Sequence, residues 1–127
     1  MDECVYILDG TKFSTLEEFY DEVERVLIHG ARWGRNLDAF NDILYGGFGT
    51  PSDGFTLIWE HSAESRTRLG YQETVRQLEA RLKQCHPASR TDVTTALEAA
   101  ARHEGPTVFD WLVDIIRQHD KVELRLA

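Results

Sequence analysis

The 127-residue chain has few of the residues that a disulfide framework, a membrane span or a nucleic-acid surface requires. It contains two cysteines and three prolines, and its 14 lysines and arginines stand against 22 acids, giving a formal net charge of −8. Its apolar runs are too short to cross a membrane, and the acidic start Met-Asp-Glu-Cys predicts no secretion signal. Cys4 and Cys85 predict two buried or inert thiols in a cytoplasmic protein. The scarcity of cations disfavours direct binding of nucleic acid.

Motifs of common catalytic and metal sites are also missing from the sequence. Its histidines are scattered, with no HExxH spacing and no cysteine pair beside them, so we expect no metal and no other cofactor. No serine lies in a Gly-x-Ser-x-Gly elbow, and the glycine-rich stretch 46–49 lacks the lysine of a phosphate-binding loop. The sequence therefore predicts a protein that is not an enzyme.

The patterns that are present predict a small α/β protein. The length, with 42% apolar and 28% charged residues, indicates one globular domain over residues 1–127. Strands are predicted at 5–8, 55–59 and 122–126, the first of them buried. Helices are predicted from a capping box at Ser14 to about 29–30, then near 37–44, and in three segments between about 71 and 116. Strands separated by helices predict a small three-stranded parallel sheet packed with helices.

The segment 33–44 is the most informative part of the chain. Asn36 is suited to cap a helix, because its side-chain oxygen can accept from a backbone N–H of the first turn. An apolar stripe at helical spacing then faces a core: Leu37, Phe40 and Leu44. The opposite face carries four residues of polar character: Asp38, Asn41, Asp42 and Tyr45. Glycines at 46, 47 and 49 end the helix.

The two aspartates of this segment have a structural and a functional interpretation. Asp38 lies in the first turn, where the helix dipole favours an anion. Asp42 lies near the C-terminal end and faces Asp38 at i, i+4, which costs about 0.2–0.5 kcal/mol. Costs of this size are common, so the pattern alone favours a solvated face over a binding site. A catalytic acid–base pair is disfavoured, because such a pair needs burial or close apposition.

The pattern Gly34-x-Asn36-Leu37-Asp38-Ala39-x-x-Asp42-x-Leu44, followed by glycine, Pro51 and a strand ending Trp59-Glu60, resembles the barstar family of bacterial ribonuclease inhibitors. The order of strands and helices is similar to that family's order. The resemblance implies a barstar-like fold and a monomer that binds a ribonuclease or ribonuclease-type toxin in a 1:1 complex. It also implies that Asp42 enters the ribonuclease active site, that Asp38 supports it, and that Asp114 is the nearest match to a contributing acid on the last helix.

Departures from the family pattern bear on the choice of target. Arg32-Trp33 stands where the family tends to have two aromatics, Arg35 where its best-known member has a glutamate, and Asn41 where an aromatic is common. The helical region before the last strand is enlarged. Trp33 and Phe48 are either interface anchors or caps on the core. We expect the two arginines to narrow the choice of target, and a module retargeted to another basic protein or a non-ribonuclease toxin stays open.

Overall fold

A computed structural model describes residues 4–29 and 32–127 of the protein. Its strands are β1 (Val5–Asp9), β2 (Phe55–Glu60) and β3 (Val122–Leu126). Its helices are α1 (Leu16–Val26), α2 (Leu37–Ile43), α3 (Ser62–Arg68), α4 (Tyr71–Gln84), α5 (Arg90–Ala101) and α6 (Val108–Arg117), with short 3-10 turns at Gly10–Lys12 and Pro87–Ser89. This confirms the prediction of an α/β fold whose helical region before the last strand is enlarged.

The sheet has the order β1-β2-β3, and both strand pairs are parallel. Leu8 of β1 aligns with Trp59 of β2, and both are fully buried. Val5 and Ile7 are 48% and 45% exposed, so the prediction that β1 is a buried strand is wrong for these positions. The reason is that alternate side chains of a strand point to opposite faces, and only the face with Leu8 packs on the core.

An aromatic cluster forms the centre of the core. The Trp59 ring stacks on Phe19 with centroids 5.5 Å apart and lies 5.0 Å from Phe109 of α6. The Trp59 indole donates to the Ser65 hydroxyl at 2.9 Å, so its one polar group is satisfied inside the core. Helix α6 is buried over much of its circumference and contributes five buried residues to the core: Val108, Phe109, Leu112, Val113 and Ile116.

The ends of α1 differ from the predicted ones. The N-cap is Thr15 rather than Ser14, because the Thr15 hydroxyl accepts from Glu18 N while the Glu18 carboxylate accepts from Ser14 N. The helix ends at Val26. The predicted end near 29–30 is therefore too late, because His29 already lies outside the helix. Gly30 lies outside the described residues.

Three further helices, α3, α4 and α5, lie between β2 and α6 in the chain. Helix α3 was not predicted, because only Ser65 of its seven residues is buried and it has no apolar stripe. Helices α4 and α5 pack mainly against each other. Cys4 and Cys85 are both unbridged; of the predicted buried or inert thiols, Cys4 is exposed and Cys85 is half-buried. Within 4–29 and 32–127, no helix is both long and apolar enough to cross a membrane.

Candidate functional site

Helix α2 begins at the residue that the sequence predicted. Asn36 has an extended backbone, with φ of −146° and ψ of 174°, and its side-chain oxygen accepts from Ala39 N at 2.7 Å. Its backbone carbonyl accepts from Phe40 N at 2.9 Å. The cap fixes the first turn of α2 without using either aspartate.

The two sides of α2 have separate roles. Phe40, Ile43 and Leu44 are buried in the core, and Leu37 packs on its edge. The opposite side, which we call the α2 face, consists of Asp38, Asn41, Asp42 and Tyr45. Both aspartates are exposed. Among the residues that the structure describes, neither carboxylate has an ion-pair or hydrogen-bond partner, so the negative charge of this face is uncompensated.

Trp33 lies against α1 at the start of the segment. Its indole nitrogen donates to the Glu24 carboxylate at 2.8 Å, and its ring meets Tyr20 edge to face with centroids 5.3 Å apart. The ring is half-buried against the core. The structure therefore supports the interpretation that Trp33 caps the core, and its contact with a partner stays a prediction.

Arg35 is also directed toward α1. Its guanidinium pairs with Asp21 at 2.7 Å and with Glu24, and it donates to the backbone oxygen of Glu17 at 3.2 Å. The hydrogen bonds that Arg35 donates to Glu24 and, second, to Asp21 raise its pKa. Its backbone has a left-handed φ of 50°. The charge of Arg35 is thus balanced by α1, whereas Arg32 is exposed and has no ion-pair partner within 4–29 and 32–127.

The C-terminal end of the α2 face contacts His119, the second residue after α6. Asn41 Oδ1 lies 2.7 Å from Nε2 of His119, and the Tyr45 ring meets the His119 ring with centroids 4.5 Å apart. Tyr45 and Phe48 are 65% and 57% exposed. Gly46, at a φ of 91°, turns the chain directly against Pro51, where an added Cβ would lie 2.5 Å from the Pro51 carbonyl oxygen. Two exposed aromatic rings therefore follow the α2 carboxylates in the chain, with a tight turn at Gly46 between them.

Asp114 is exposed on α6, the helix that packs against α2. Its neighbour Ile115 and Asp38 line the same groove of about 860 Å³ between α1, α2 and α4. The groove is closed on the α4 side by Arg81, Gln84 and Cys85. Asp114 itself does not line this groove, so its place beside the α2 face stays a prediction.

Sequence comparison identifies the family of the chain. The model of the family described as Barstar (barnase inhibitor) matches residues 4–123. The chain belongs to the barstar family. No curated protein matches it in sequence. This barstar-family chain carries two exposed carboxylates on α2 and two arginines upstream, of which one is bound to α1.

Three contacting residues of this barstar-family site were missed in the sequence. Glu24 and Asp21 hold Arg35, and His119 holds Asn41. His119 is separated from Asn41 by 78 positions, so no local spacing could reveal the pair. The acids of α1 follow the ordinary pattern of a solvated helix side, which gives no signal of their partner.

Proposed function

We propose that this barstar-family protein inhibits a bacterial ribonuclease and acts as an immunity-type partner without catalytic activity of its own. Its carboxylates occupy the site where an RNA phosphate would bind, with Asp42 as the principal group and Asp38 in support. The observation that carries this proposal is the pair of exposed, uncompensated carboxylates on one side of a capped helix.

The α2 face suits a rigid mimic of a phosphate backbone. Because the apolar side of α2 is buried and Asn36 caps its start, little chain ordering remains to oppose binding. A ribonuclease active site presents cations to RNA, and a carboxylate that enters it forms charge-assisted hydrogen bonds, which are the strong ones. Tyr45 and Phe48 supply aromatic contact area beside the carboxylates, as hot-spot residues commonly do. Asn41, Asp114, Trp33 and the two arginines complete the proposed contact set.

Charge supports the same partner class. The chain has a net charge of −8, and opposite fields accelerate the encounter of an acidic protein with a basic one. The ion pairs of Arg35 with α1 keep that cation from neutralising the α2 face. We propose a monomer that binds its target in a 1:1 complex.

Titration of barnase-catalysed RNA cleavage with this protein tests the proposal. We expect stoichiometric inhibition by the wild type and an inhibition constant more than about ten-fold weaker for Asp42→Ala. Glu79→Ala is the matched control, because Glu79 is an exposed acid of α4 and its removal changes the net charge equally. Equal inhibition by Asp42→Ala and the wild type would contradict the proposed mechanism.

A second candidate is a barstar-family module for another basic protein, including a non-ribonuclease toxin. The groove between α2 and the enlarged α4 favours it, since Gln84 and Arg81 offer contacts that lie beside Asp38. This candidate predicts that barnase binds weakly. It also predicts that the wild type captures a basic protein that Asp42→Ala does not, and that this capture is weakened by Gln84→Ala, because Gln84 is exposed in the groove. Unimpaired capture by Gln84→Ala would count against the groove as part of that surface.

A further inference from the structure

A three-residue cluster holds the C-terminal end of α2. Asn41 and Tyr45 are one helical turn apart and both contact the imidazole of His119. An amide oxygen only accepts hydrogen bonds, so at 2.7 Å from Asn41 Oδ1 the Nε2 atom of His119 carries the hydrogen and donates it. The contact joins the α2 face directly to the segment between α6 and β3.

His119 is itself fixed by its surroundings. The residue is buried, with only 7% of its surface exposed. Its backbone N–H donates to Ile116 O at 3.1 Å, and its carbonyl accepts from Val122 N at 3.1 Å, at the start of β3. The imidazole therefore stands on a rigid junction between the central helix and the sheet.

Helix α2 needs such support at its C-terminal end. It has only seven residues, and helices this short are not stable alone. Its last turn contains no basic residue, while Asp42 places a negative charge at the end that the helix dipole disfavours. The Asn36 cap acts at the opposite end, so the contacts of Asn41 and Tyr45 with His119 add to the burial of Ile43 and Leu44 in securing the part that bears this carboxylate.

We propose that His119 is a positioning residue, which through Asn41 and Tyr45 holds the C-terminal half of α2 in one orientation for a basic partner. The carboxylate so positioned is that of Asp42. His119 does not need to touch the partner to act in this way. The role in binding rests on the proposed inhibitor function, whereas the role in holding α2 does not.

The substitutions separate the hydrogen bond from the packing. A cavity of about 330 Å³ lined by Tyr45, Pro51 and Lys121 adjoins His119, so His119→Ala both enlarges a cavity and removes the donor. His119→Gln keeps an N–H donor at a similar reach and should restore the contact with Asn41. His86→Ala is the control, because His86 is an exposed histidine outside the cluster, between α4 and α5.

The first measurement uses the protein without a partner. Hydrogen exchange followed by NMR should show the amides of 41–45 in His119→Ala exchanging about ten-fold faster than in the wild type. The amides of β2 should exchange only as fast as the global stability of each variant requires, so that the acceleration is confined to 41–45. His119→Gln should recover most of the protection, and His86→Ala should match the wild type. Unchanged exchange at 41–45 in His119→Ala would overturn the proposal whatever the partner is.

The second measurement uses barnase as the probe and compares dissociation rates at a temperature where every variant is folded. We expect His119→Ala to dissociate about ten-fold faster, His119→Gln to lie near the wild type, and the effect of His119→Ala to shrink in an Asp42→Asn background. Full additivity of the two substitutions would reject the positioning of Asp42. A wild type that fails to bind barnase, with 41–45 loosened as expected, would instead count against the inhibitor proposal alone.

Discussion

The guanidinium of Arg35 forms an ion pair with the carboxylate of Glu24, which joins the loop before α2 to helix α1. The same carboxylate accepts from the Trp33 indole at 2.8 Å. One acid of α1 therefore orders two residues of the loop. Arg32 has no comparable partner in the described ranges, so the two arginines differ in kind although both stand beside the acidic helix.

We predict opposite consequences for the two arginines. Arg35→Ala should lower the free energy of unfolding by about 0.5 kcal/mol and weaken binding, because its pairs with α1 are lost and the loop is freed. Arg32→Ala should leave stability unchanged and accelerate association with barnase, because it removes an exposed cation from an acidic surface. Urea denaturation and stopped-flow association rates check both variants. Equal changes in unfolding free energy and in association rate for the two variants would contradict the distinction between the arginines.

The two aspartates of α2 should have opposite effects on stability. Asp38→Ala should cost about 0.3–1 kcal/mol, since it removes an anion from the positive end of the helix dipole. Asp42→Ala should leave stability unchanged or raise it by about 0.2–0.5 kcal/mol, since it removes an anion from the negative end and a like-charge neighbour. Thermal unfolding of each single variant measures these changes. A marked loss of stability in Asp42→Ala would assign that carboxylate a structural role.

Association with a basic ribonuclease should be steered by charge. Because the chain carries a net charge of −8, added salt should slow association far more than it accelerates dissociation. Stopped-flow traces over a range of salt concentrations separate the two rates. A salt-independent association rate would show that local contacts alone control the encounter.

Glu73 should be among the acids on which stability depends most. It is buried, and its carboxylate accepts from Leu16 N at 2.8 Å, from Arg76 at 2.6 Å and from Gln77 at 2.9 Å, which links α1 to α4. Glu73→Ala should cost about 2 kcal/mol, because a buried amide at the start of α1 loses its acceptor. Glu79→Ala on the exposed side of α4 should cost less than about 0.5 kcal/mol. Equal urea midpoints for the two variants would contradict this prediction.

The pH dependence of stability should report on His119. Burial lowers the pKa of His119 below its ordinary value of 6.5. As pH falls, the unfolded chain therefore takes up the proton first, so the stability that the neutral ring provides is complete above about pH 6.5 and is lost from there through the folded-state pKa. Tyr45, Asp120 and Lys121 are the titratable groups that share its cavity. Urea denaturation between pH 7.5 and 5 on the wild type and His119→Gln, which lacks the titrating ring, isolates this loss.

The parts of the protein that depend on local sequence could be predicted. The Asn36 cap, the buried side of α2 and the strand bounds at Phe55 and Val122 each follow from residues within one or two turns of the chain. The position of Leu8 in a parallel sheet followed from the alternation of strands with helices. These elements are local, so a single pattern of apolar spacing contains most of the required information.

The contacts that tune the site could not be predicted, because they join distant parts of the chain. His119 meets Asn41 across 78 positions, and Arg35 reaches Asp21 across 14 through a left-handed backbone conformation. In the sequence, Arg35 reads as an exposed cation beside an acidic helix. Only the path of the loop shows that its charge belongs to α1. Helix α3 was missed for a different reason, since a short polar helix has no apolar periodicity.

The division of α2 into a buried and an exposed side has an evolutionary consequence. Phe40, Ile43 and Leu44 hold the helix in the core, while neither Asp38 nor Asp42 takes part in that packing. Mutations at Asp42 can therefore accumulate without selection against unfolding, and mutations at Asp38 cost only about 0.3–1 kcal/mol of stability. The protein can adapt to a changed target by substituting a few exposed residues on one side of a seven-residue helix, while the residues that form the core stay the same.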